Sequence, residues 1–319
     1  MSFTHFPPAH ARLQRSVLAI PASDPSLVER ALRSAADQVF LDCEHSAALG
    51  DPPRARAAIV RALRDLDWHD HGKSVGVRIN GLDTHFMYRD LVDIVEQAGE
   101  RIDTLLVPRV GVPADLYVVD CLLTQIESAR GLPRRIGIEA AIETSLGMAN
   151  VEAIARASPR LEALHFGGAD FTASCQARSV SIGALNPDYP GDQWHASLQR
   201  LLVASRAHGL RAVDGPYGDV EDTDGFLAAA RRAAALGFEG KWTLSQGQVD
   251  LANLVMAPPA DDVAHARRIL AALEEAARSE RSAAHLDGRP IDAASARMAA
   301  TLVRQAAAIA ARSAIIDRE

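Results

Sequence analysis

The sequence contains few cysteines, and they form no recognisable pattern. Cys43, Cys121 and Cys175 are widely separated among the 319 residues. A disulfide framework needs an even set of regularly spaced cysteines, and a thiolate metal site needs cysteines or histidines at short spacing. The spacing therefore excludes both classes of protein. Because free cysteines persist in a reducing compartment, we expect a cytoplasmic protein.

Basic blocks and long apolar runs are also missing. The formal net charge is −7, and lysine and arginine form no cluster, so we expect no nucleic-acid partner. Residues 1–15 lack the apolar core of a signal peptide, and no run approaches the length of a membrane span. We therefore expect a soluble protein with no membrane partner.

Several common catalytic motifs are absent. No Gly-x-Gly-x-x-Gly or Walker loop follows the first predicted strand, which weakens a dinucleotide-binding interpretation. No Gly-x-Ser-x-Gly elbow or Cys–His signature supports covalent catalysis. The chemistry must then come from other polar residues.

Apolar, β-branched segments alternate with alanine-rich helical segments along most of the chain. The predicted strands are Val17–Ile20, Val39–Cys43, Ser74–Asn80, Thr104–Val107, Arg135–Glu143, Leu161–Phe166, Leu210–Asp214 and Gly240–Leu244. The predicted helices between them are Ser26–Ser34, Pro53–Arg64, Met87–Gln97, Ala114–Ser128, Val151–Ala157, Gln193–Ala207 and Gly225–Leu236. About eight repeats of strand and helix are typical of an α/β protein with a (β/α)₈ TIM barrel, and an open doubly wound sheet is the alternative.

The composition changes near residue 258. Asp261–Glu280 and Ala293–Ser313 each predict one long helix, with a turn between them. We assign residues 12–275 to a TIM-barrel catalytic domain and residues 276–319 to a C-terminal helical extension. A tail after a complete barrel is often an oligomerisation element or a lid.

Two predicted strands that flank one short helix each lead into a carboxylate. The first ends at Glu143, and the second runs into Asp170. The carboxyl ends of parallel strands face the ligand site, and two carboxylates there can bind a hard divalent cation with waters completing its coordination. Alternatively, Glu143 caps the following helix and Asp170 is a turn residue. Spacing alone does not choose between these interpretations.

Other polar side chains lie near or after the carboxyl ends of predicted strands. Arg78 could place a positive charge beside a developing oxyanion, or it could form a structural ion pair with Asp42 or Glu44. The acid or base that carbon–carbon cleavage needs has three candidates, namely His45, Glu44 and Asp292. Asp292 would also serve as the N-cap of the last helix.

These residues lie in motifs that resemble a known superfamily. The chain is similar to the HpcH/HpaI aldolases and citrate lyase β-subunits, and within that superfamily most similar to malyl-CoA and β-methylmalyl-CoA lyases. The resemblance spans about residues 12 to 312. The matching motifs are RSVLAIPASD (Arg15–Asp24), VFLDCE (Val39–Glu44), VRINGLDTHFMYRDLVDIVEQAG (Val77–Gly99), VPRVGVPADLYVVDCLLTQIE (Val107–Glu127), IETSLGMANVEAIARASPRLEALHFGGAD (Ile142–Asp170), DYPGDQWH (Asp188–His195), LRAVDGPYGD (Leu210–Asp219), GKWTLSQGQVDLANLV (Gly240–Val255) and GRPIDAASAR (Gly288–Arg297).

The resemblance implies both an assembly and a reaction. It implies a TIM barrel that forms homotrimers or homohexamers, with the C-terminal extension lying over a neighbouring subunit's site. The reaction would be reversible aldol cleavage of a 3-hydroxyacyl-CoA (malyl-CoA, β-methylmalyl-CoA or citramalyl-CoA). The products would be an acyl-CoA and a 2-oxo acid, glyoxylate or pyruvate.

The resemblance also implies roles for particular residues. Mg²⁺, with Mn²⁺ as an alternative ion, would be bound by Glu143 and Asp170. Asp292 would reach the site from the adjacent subunit as the catalytic acid or base. Four residues are implied in substrate or CoA binding: Arg15, Arg78, Gly168 and Ala169.

Three positions differ from the family pattern. The family commonly has a Glu-Asp pair followed by a lysine after the second strand, whereas this chain has Glu44-His45 and Pro52. Its usual His-Pro segment after the eighth strand is Ser245-Gln246-Gly247-Gln248 here, and the Pro-Gly-Ser after the first strand is Pro21-Ala22-Ser23.

The Glu44-His45 pair brings forward a second interpretation. In the pyruvate aldolases of the same superfamily, a Glu-His pair supplies a catalytic histidine, and the substrate carries no CoA. A third interpretation is a catalytically silent paralogue with a binding or regulatory role. Thioester hydrolysis after cleavage is a further alternative outcome.

Overall fold

Eight parallel strands form the centre of the molecule. The computed structural model describes residues 6–44, 50–279 and 284–316. The strands are β1 (Ser16–Ile20), β2 (Gln38–Asp42), β3 (Ser74–Arg78), β4 (Thr104–Val107), β5 (Gly137–Ile142), β6 (Leu161–Phe166), β7 (Arg211–Asp214) and β8 (Gly240–Thr243).

The sheet is closed. Each strand pairs with the next along the chain, and β1 pairs with β8 through Val17 opposite Trp242. This closure confirms the predicted TIM barrel and excludes the open doubly wound sheet. Each of the eight predicted strands overlaps an observed strand, because strands buried on both faces leave continuous apolar runs in the sequence.

Helices cover the outside of the barrel. They are α1 (Pro25–Arg33), α2 (Pro52–Asp65), α3 (Met87–Ala98), α4 (Pro113–Arg130), α5 (Ser145–Ala149), α6 (Val151–Ile154), α7 (Gly168–Ser174), α8 (His195–Ala207), α9 (Thr223–Leu236) and α10 (Gln246–Met256). The sequence did not predict α5, α7 and α10. The first two are shorter than two turns, and such segments show too little apolar periodicity to be recognised.

The strands begin and end in different environments inside the barrel. Near their amino ends, a buried polar group surrounds Glu139 and includes Gln14, Gln38 and Arg211. Above it lies an apolar layer, whose members are Val17, Phe40, Leu106, Ala141, Val213 and Trp242. Gly76 of β3 makes room for this layer, since a β-carbon there would overlap the ring of Phe40. The apolar layer forms the floor beneath the carboxyl ends of the strands.

Residues 257–319 form a second compact unit. It contains α11 (Ala260–Arg278), a two-stranded hairpin of β9 (Ala284–Leu286) and β10 (Arg289–Ile291), and α12 (Ala293–Ile316). Helix α11 packs against both α12 and β9 and therefore belongs to this unit. The boundary falls between residues 256 and 257, whereas the sequence analysis placed it between residues 275 and 276.

Helix α12 departs from one expectation. Its 24 residues are long and apolar enough, by length and composition, to cross a membrane, although no run of that kind was expected. Most of its side chains are exposed, and Ala299 is buried. An uncovered apolar helix is also typical of a surface that contacts another protein chain. The prediction that the protein has no membrane partner stays a prediction.

Candidate active site

A cavity of about 280 Å³ opens at the carboxyl ends of the barrel strands. Its polar and aromatic lining comes from different strands and the loops that follow them: Asp42, Arg78, Glu143, His165, Asp170 and Trp242. In TIM barrels the catalytic groups lie at this end, because the loops that vary between enzymes meet there. We therefore take this cavity as the candidate active site.

Glu143 follows β5 and is buried at the cavity wall. Its carboxylate accepts a hydrogen bond of 2.6 Å from the backbone N–H of Arg109. A β-carbon at position 167 would overlap this carboxylate, so Gly167 creates the space that Glu143 occupies. The cap of the following helix is Thr144, whose Oγ1 accepts from the Gly147 N–H at 2.9 Å. Glu143 is therefore not the helix cap that the sequence left open.

The electrostatic surroundings of Glu143 disfavour the ionised form of its carboxyl group. Burial, together with the charges of Glu44 and Asp170, raises its pKa to about 7 against the opposing effects of the Arg109 N–H and Arg78. A carboxylate that is costly to ionise beside other carboxylates is stabilised when a cation binds between them. The pKa of Glu143 thus indicates a place that suits a metal ion.

Asp170 lies in the first turn of α7 and lines the same cavity. Its exposed carboxylate approaches Glu143 closely enough to affect the pKa of that group. Within the described ranges, no group of three histidine, cysteine or acidic side chains is gathered tightly enough to hold a metal alone. Two oxygen ligands with waters completing the shell are the usual arrangement for Mg²⁺. Glu143 and Asp170 fit that arrangement.

Arg78 forms the structural ion pairs that the sequence allowed, and its role beside an oxyanion stays a prediction. It donates two hydrogen bonds to Asp42, at 2.9 and 2.5 Å, and its Nη1 lies 3.3 Å from Glu44 Oε2. It also lines the cavity, and its guanidinium lies 5.5 Å from the centre of the Trp242 ring. The ion pairs hold the guanidinium in place, and its position at the cavity allows it to meet an anionic substrate.

Arg109 was not among the predicted site residues. Its φ of 50° is unusual for a residue with a side chain, and this conformation directs its N–H at Glu143. Its guanidinium binds both Glu44 and Asp83. Arg109 therefore fixes one candidate metal ligand with its backbone and one partner of Arg78 with its side chain. Its place directly after β4 was the available sequence signal.

The sequence also did not predict two further buried residues that line the cavity. Trp242 of β8 donates a hydrogen bond of 2.8 Å to His165 of β6, and both residues line the cavity. Each lies inside a strand and not after it, so a search of strand ends does not find them. Their inward direction depends on the register of the closed barrel.

The implied substrate residues fall in two places. Gly168 and Ala169 line the cavity, as expected. Arg15 does not, because it directly precedes β1 and lies at the opposite end of the barrel. There its guanidinium binds Asp37 at 2.8 and 2.9 Å. The assignment of Arg15 to substrate or CoA binding is therefore corrected to a structural ion pair.

The structure describes two of the three candidate acids or bases, Glu44 and Asp292. Glu44 is half-buried and engaged with Arg78 and Arg109. His45 lies outside the described residues. Asp292 is exposed in the second unit and caps α12, where its Oδ1 accepts from the Ser295 N–H at 2.8 Å. Its predicted N-cap role is confirmed, and its catalytic role stays a prediction.

The geometry agrees with what comparison with known proteins finds. A family model described as HpcH/HpaI aldolase/citrate lyase matches residues 15–245. The chain belongs to this family. It is a lyase. The match includes the carboxyl ends of all eight strands, so it covers the whole candidate active site.

Three similar proteins illustrate the relationship. An L-malyl-CoA/β-methylmalyl-CoA lyase from Rhodobacter capsulatus is 46% identical over 315 residues, which are 96% of this chain and 98% of the relative. A malyl-CoA/β-methylmalyl-CoA/citramalyl-CoA lyase from Chloroflexus aurantiacus is 32% identical over 80% of this chain and 76% of its own. The crystal structure of CitE from Mycobacterium tuberculosis in complex with magnesium, acetoacetate and coenzyme A is 28% identical, with a TM-score of 0.70 and coverage of 92% and 98%.

The buried charge of Glu143 gives the lyase a testable dependence of stability on pH. The pKa of Glu143 is about 7 in the folded protein and 4.5 ordinarily, so folding takes up a proton between these values. Its favourable contribution is complete below pH 4.5 and is lost as the pH rises through 7. In metal-free protein, Glu143→Gln should therefore raise the free energy of unfolding by up to about 3 kcal/mol at about pH 8 and have little effect near pH 4.5.

Denaturant unfolding in the presence of a chelator, followed across this pH range, measures the difference. Glu152→Gln is the control, because Glu152 is an exposed carboxylate paired with Arg200 and its loss should cost less than about 1 kcal/mol throughout. A gain for Glu143→Gln that is the same at every pH would contradict the prediction.

Proposed function

We propose that this lyase cleaves the carbon–carbon bond of a 3-hydroxyacyl-CoA, namely malyl-CoA, β-methylmalyl-CoA or citramalyl-CoA, with the help of Mg²⁺. The products are an acyl-CoA and glyoxylate or pyruvate, and the reaction is reversible. The observation that carries the proposal is the meeting of Glu143, Asp170 and Arg78 in one cavity at the barrel mouth. The identity to malyl-CoA lyases supports the choice of substrate.

The two carboxylates supply the ion site. Glu143 and Asp170 would hold Mg²⁺, or Mn²⁺ as an alternative, and the bound ion would supply Lewis-acid stabilisation of negative charge on the oxygens of the 2-oxo acid. The Arg109 N–H keeps the Glu143 carboxylate in one orientation, while Gly167 leaves room beside it. These contacts hold the site ready before the substrate binds.

Arg78 supplies a fixed positive charge. Asp42 and Glu44 hold its guanidinium at the cavity, where it can bind the oxo or carboxylate oxygens of the substrate. A charge that is already oriented costs no reorganisation during the reaction. Arg78 therefore both binds the 2-oxo acid part and stabilises the charge that develops there.

Asp292 is the proposed acid or base that moves the proton. Aldol cleavage removes a proton from the hydroxyl group, and the opposite direction returns it. We propose that Asp292 reaches the site from a neighbouring subunit of a homotrimer or homohexamer, so that residues 276–319 complete the partner's site. Its exposure on the second unit supports this proposal, because the carboxylate is accessible to another chain.

A groove beside the site supports CoA as the carrier of the acyl group. The groove has a volume of about 600 Å³, lies between α1 and α2, and begins at Ala22 and Ser23 after β1. Arg54 and Arg61 of α2 line it and are exposed. Guanidinium groups bind phosphates well, and CoA carries phosphates at its nucleotide end. We assign this groove to the nucleotide part of CoA.

The alternative function is CoA-independent cleavage of a 2-oxo acid by an aldolase that uses His45. The sequence pair Glu44-His45 favours it. A catalytically silent paralogue is less well supported, because Glu143, Asp170 and Arg78 are all retained in one cavity. The substrate, and not the fold, distinguishes the first two functions.

A substrate panel tests the proposed function. Purified protein is incubated with malyl-CoA, citramalyl-CoA and free 4-hydroxy-2-oxo acids, with Mg²⁺ or with EDTA, and the release of acyl-CoA and 2-oxo acid is measured. We expect metal-dependent cleavage of a CoA thioester and its loss in Asp170→Ala. Cleavage of CoA-free substrates alone would replace the proposal with the aldolase, and undiminished turnover without metal would refute the metal's role.

Replacing both groove arginines tests the placement of CoA. Arg54→Ala/Arg61→Ala should raise the KM for the thioester about thirtyfold, because two phosphate contacts of roughly 1 kcal/mol each are lost, while kcat stays near the wild-type value. Arg64→Ala on the same helix lies outside the groove and is the control. An unchanged KM in the double variant would refute the assignment.

Asp292→Asn tests the role of the extension. We expect kcat to fall about 100-fold or more, the contribution of general acid–base catalysis, with Mg²⁺ affinity by calorimetry unchanged. Mixed oligomers of Asp292→Asn and Asp170→Ala should regain activity, since some sites then combine an intact barrel with an intact tail. Full activity of Asp292→Asn, or no recovery in the mixture, would contradict the shared site.

A further inference from the structure

His165 is a buried ring at the floor of the cavity whose two nitrogen atoms are both engaged. Its Nε2 lies 2.5 Å from Glu139 Oε2, and its Nδ1 lies 2.8 Å from Trp242 Nε1. It also meets the edge of the Phe40 ring at a centroid distance of 6.1 Å. Neither nitrogen is therefore available to take a proton from the substrate.

The partners determine which nitrogen carries the proton. The indole N–H of Trp242 can only donate, so Nδ1 of His165 must accept. The proton of the imidazole then lies on Nε2 and is donated to the Glu139 carboxylate. Burial, opposed by the hydrogen bond from His165 and the charge of Arg211, leaves the pKa of Glu139 at about 2, so this carboxylate is ionised. The order of donation is Trp242 to His165 to Glu139.

Trp242 connects this chain of hydrogen bonds to the active site. The guanidinium of Arg78 lies 5.5 Å from the centre of its ring, and Phe40 stacks on the ring at 6.1 Å with an interplanar angle of 13°. The hydrogen bond to His165 restricts rotation of the indole about its Cβ–Cγ bond. The face of the ring under Arg78 is therefore held in place, and the ion pairs to Asp42 hold the guanidinium against it.

We propose that His165 is a positioning residue for the lyase reaction, which acts through the orientation of Trp242 on the guanidinium of Arg78. The Glu139 carboxylate fixes the tautomer that accepts from the indole. Arg78 in turn meets the 2-oxo acid part of the substrate, so this inference rests on the proposed function. The expected consequence is a selective effect on 2-oxo acid binding.

Two conservative variants separate the two hydrogen bonds of His165. His165→Asn keeps an oxygen where Nδ1 was and can still accept from Trp242. His165→Gln keeps an amide N–H where Nε2–H was, donates to Glu139 and leaves the indole N–H without an acceptor. Glu139 tolerates the Asn variant, because Gln14 at 2.7 Å and Gln38 at 3.1 Å still donate to it.

The two variants should behave differently. We expect His165→Gln to lower both kcat/KM and the affinity for glyoxylate, measured by calorimetry with Mg²⁺, about tenfold, which is the effect of one lost buried hydrogen bond. His165→Asn should stay within about threefold of the wild type. The KM for the acyl-CoA in the condensation direction should be unchanged in both variants, because the acyl-CoA lacks the 2-oxo acid part. Trp242→Phe should resemble His165→Gln, and adding His165→Gln to Trp242→Phe should cause little further loss.

Two results would overturn the inference. Equal losses in the Asn and Gln variants would show that the indole bond does not matter. Parallel losses in the affinities for glyoxylate and for the acyl-CoA of the condensation direction would indicate general damage. The tautomer has an independent test, because ¹⁵N NMR of the His165 ring should show the proton on Nε2. If the wild type cleaves no substrate, the proposed function fails, while the NMR result and glyoxylate affinities still decide the role of His165.

Discussion

The burial of one carboxylate among other negative charges is the constraint on which the mouth of this barrel depends. Glu143 sits against Gly167 and under the Arg109 N–H, and the charges of Glu44 and Asp170 act on it. Such a group destabilises the folded protein when it ionises, unless a cation offsets its charge. This destabilisation arises at the end of the barrel where loops and ligands meet, which is the usual location of a functional site.

Two arginines, Arg78 and Arg109, pair with the other carboxylates near the cavity. Their positions relative to the cavity differ. Arg109 holds Glu44 and Asp83 outside the cavity, whereas Arg78 is held by Asp42 and faces into it. Neither arginine forms a direct salt bridge with Glu143 within the part of the chain that the structure describes. The charge of Glu143 therefore stays available for an external cation, while Arg78 offers its positive charge to an anionic ligand. A divalent ion and a 2-oxo acid complement this pattern.

The sequence predicted the barrel strands well and only part of the site. Residues at or directly after the carboxyl end of a strand, such as Arg78 and Glu143, were found because the carboxyl ends of parallel strands converge on one face. The same geometry shows why the assignment of Arg15 to the site was wrong. Arg15 precedes its strand and therefore lies at the opposite end of the barrel. His165 and Trp242 lie within strands, and their meeting depends on the closure and register of the barrel. A one-dimensional pattern carries no information on such contacts between non-adjacent strands.

The loop after β8 shows how the chain can change its ligand contacts while keeping its chemistry. Gln248, in the first turn of α10 after this loop, is buried, accepts from the Leu244 N–H at 2.8 Å and donates to the Tyr217 carbonyl at 3.0 Å. These bonds fix Leu244 at the cavity wall, two residues after Trp242, without a His-Pro segment. The candidate metal ligands Glu143 and Asp170 follow β5 and β6, Arg78 ends β3, and none of them depends on this loop. Differences in this loop therefore act on the shape of the ligand cavity and leave the charge arrangement intact.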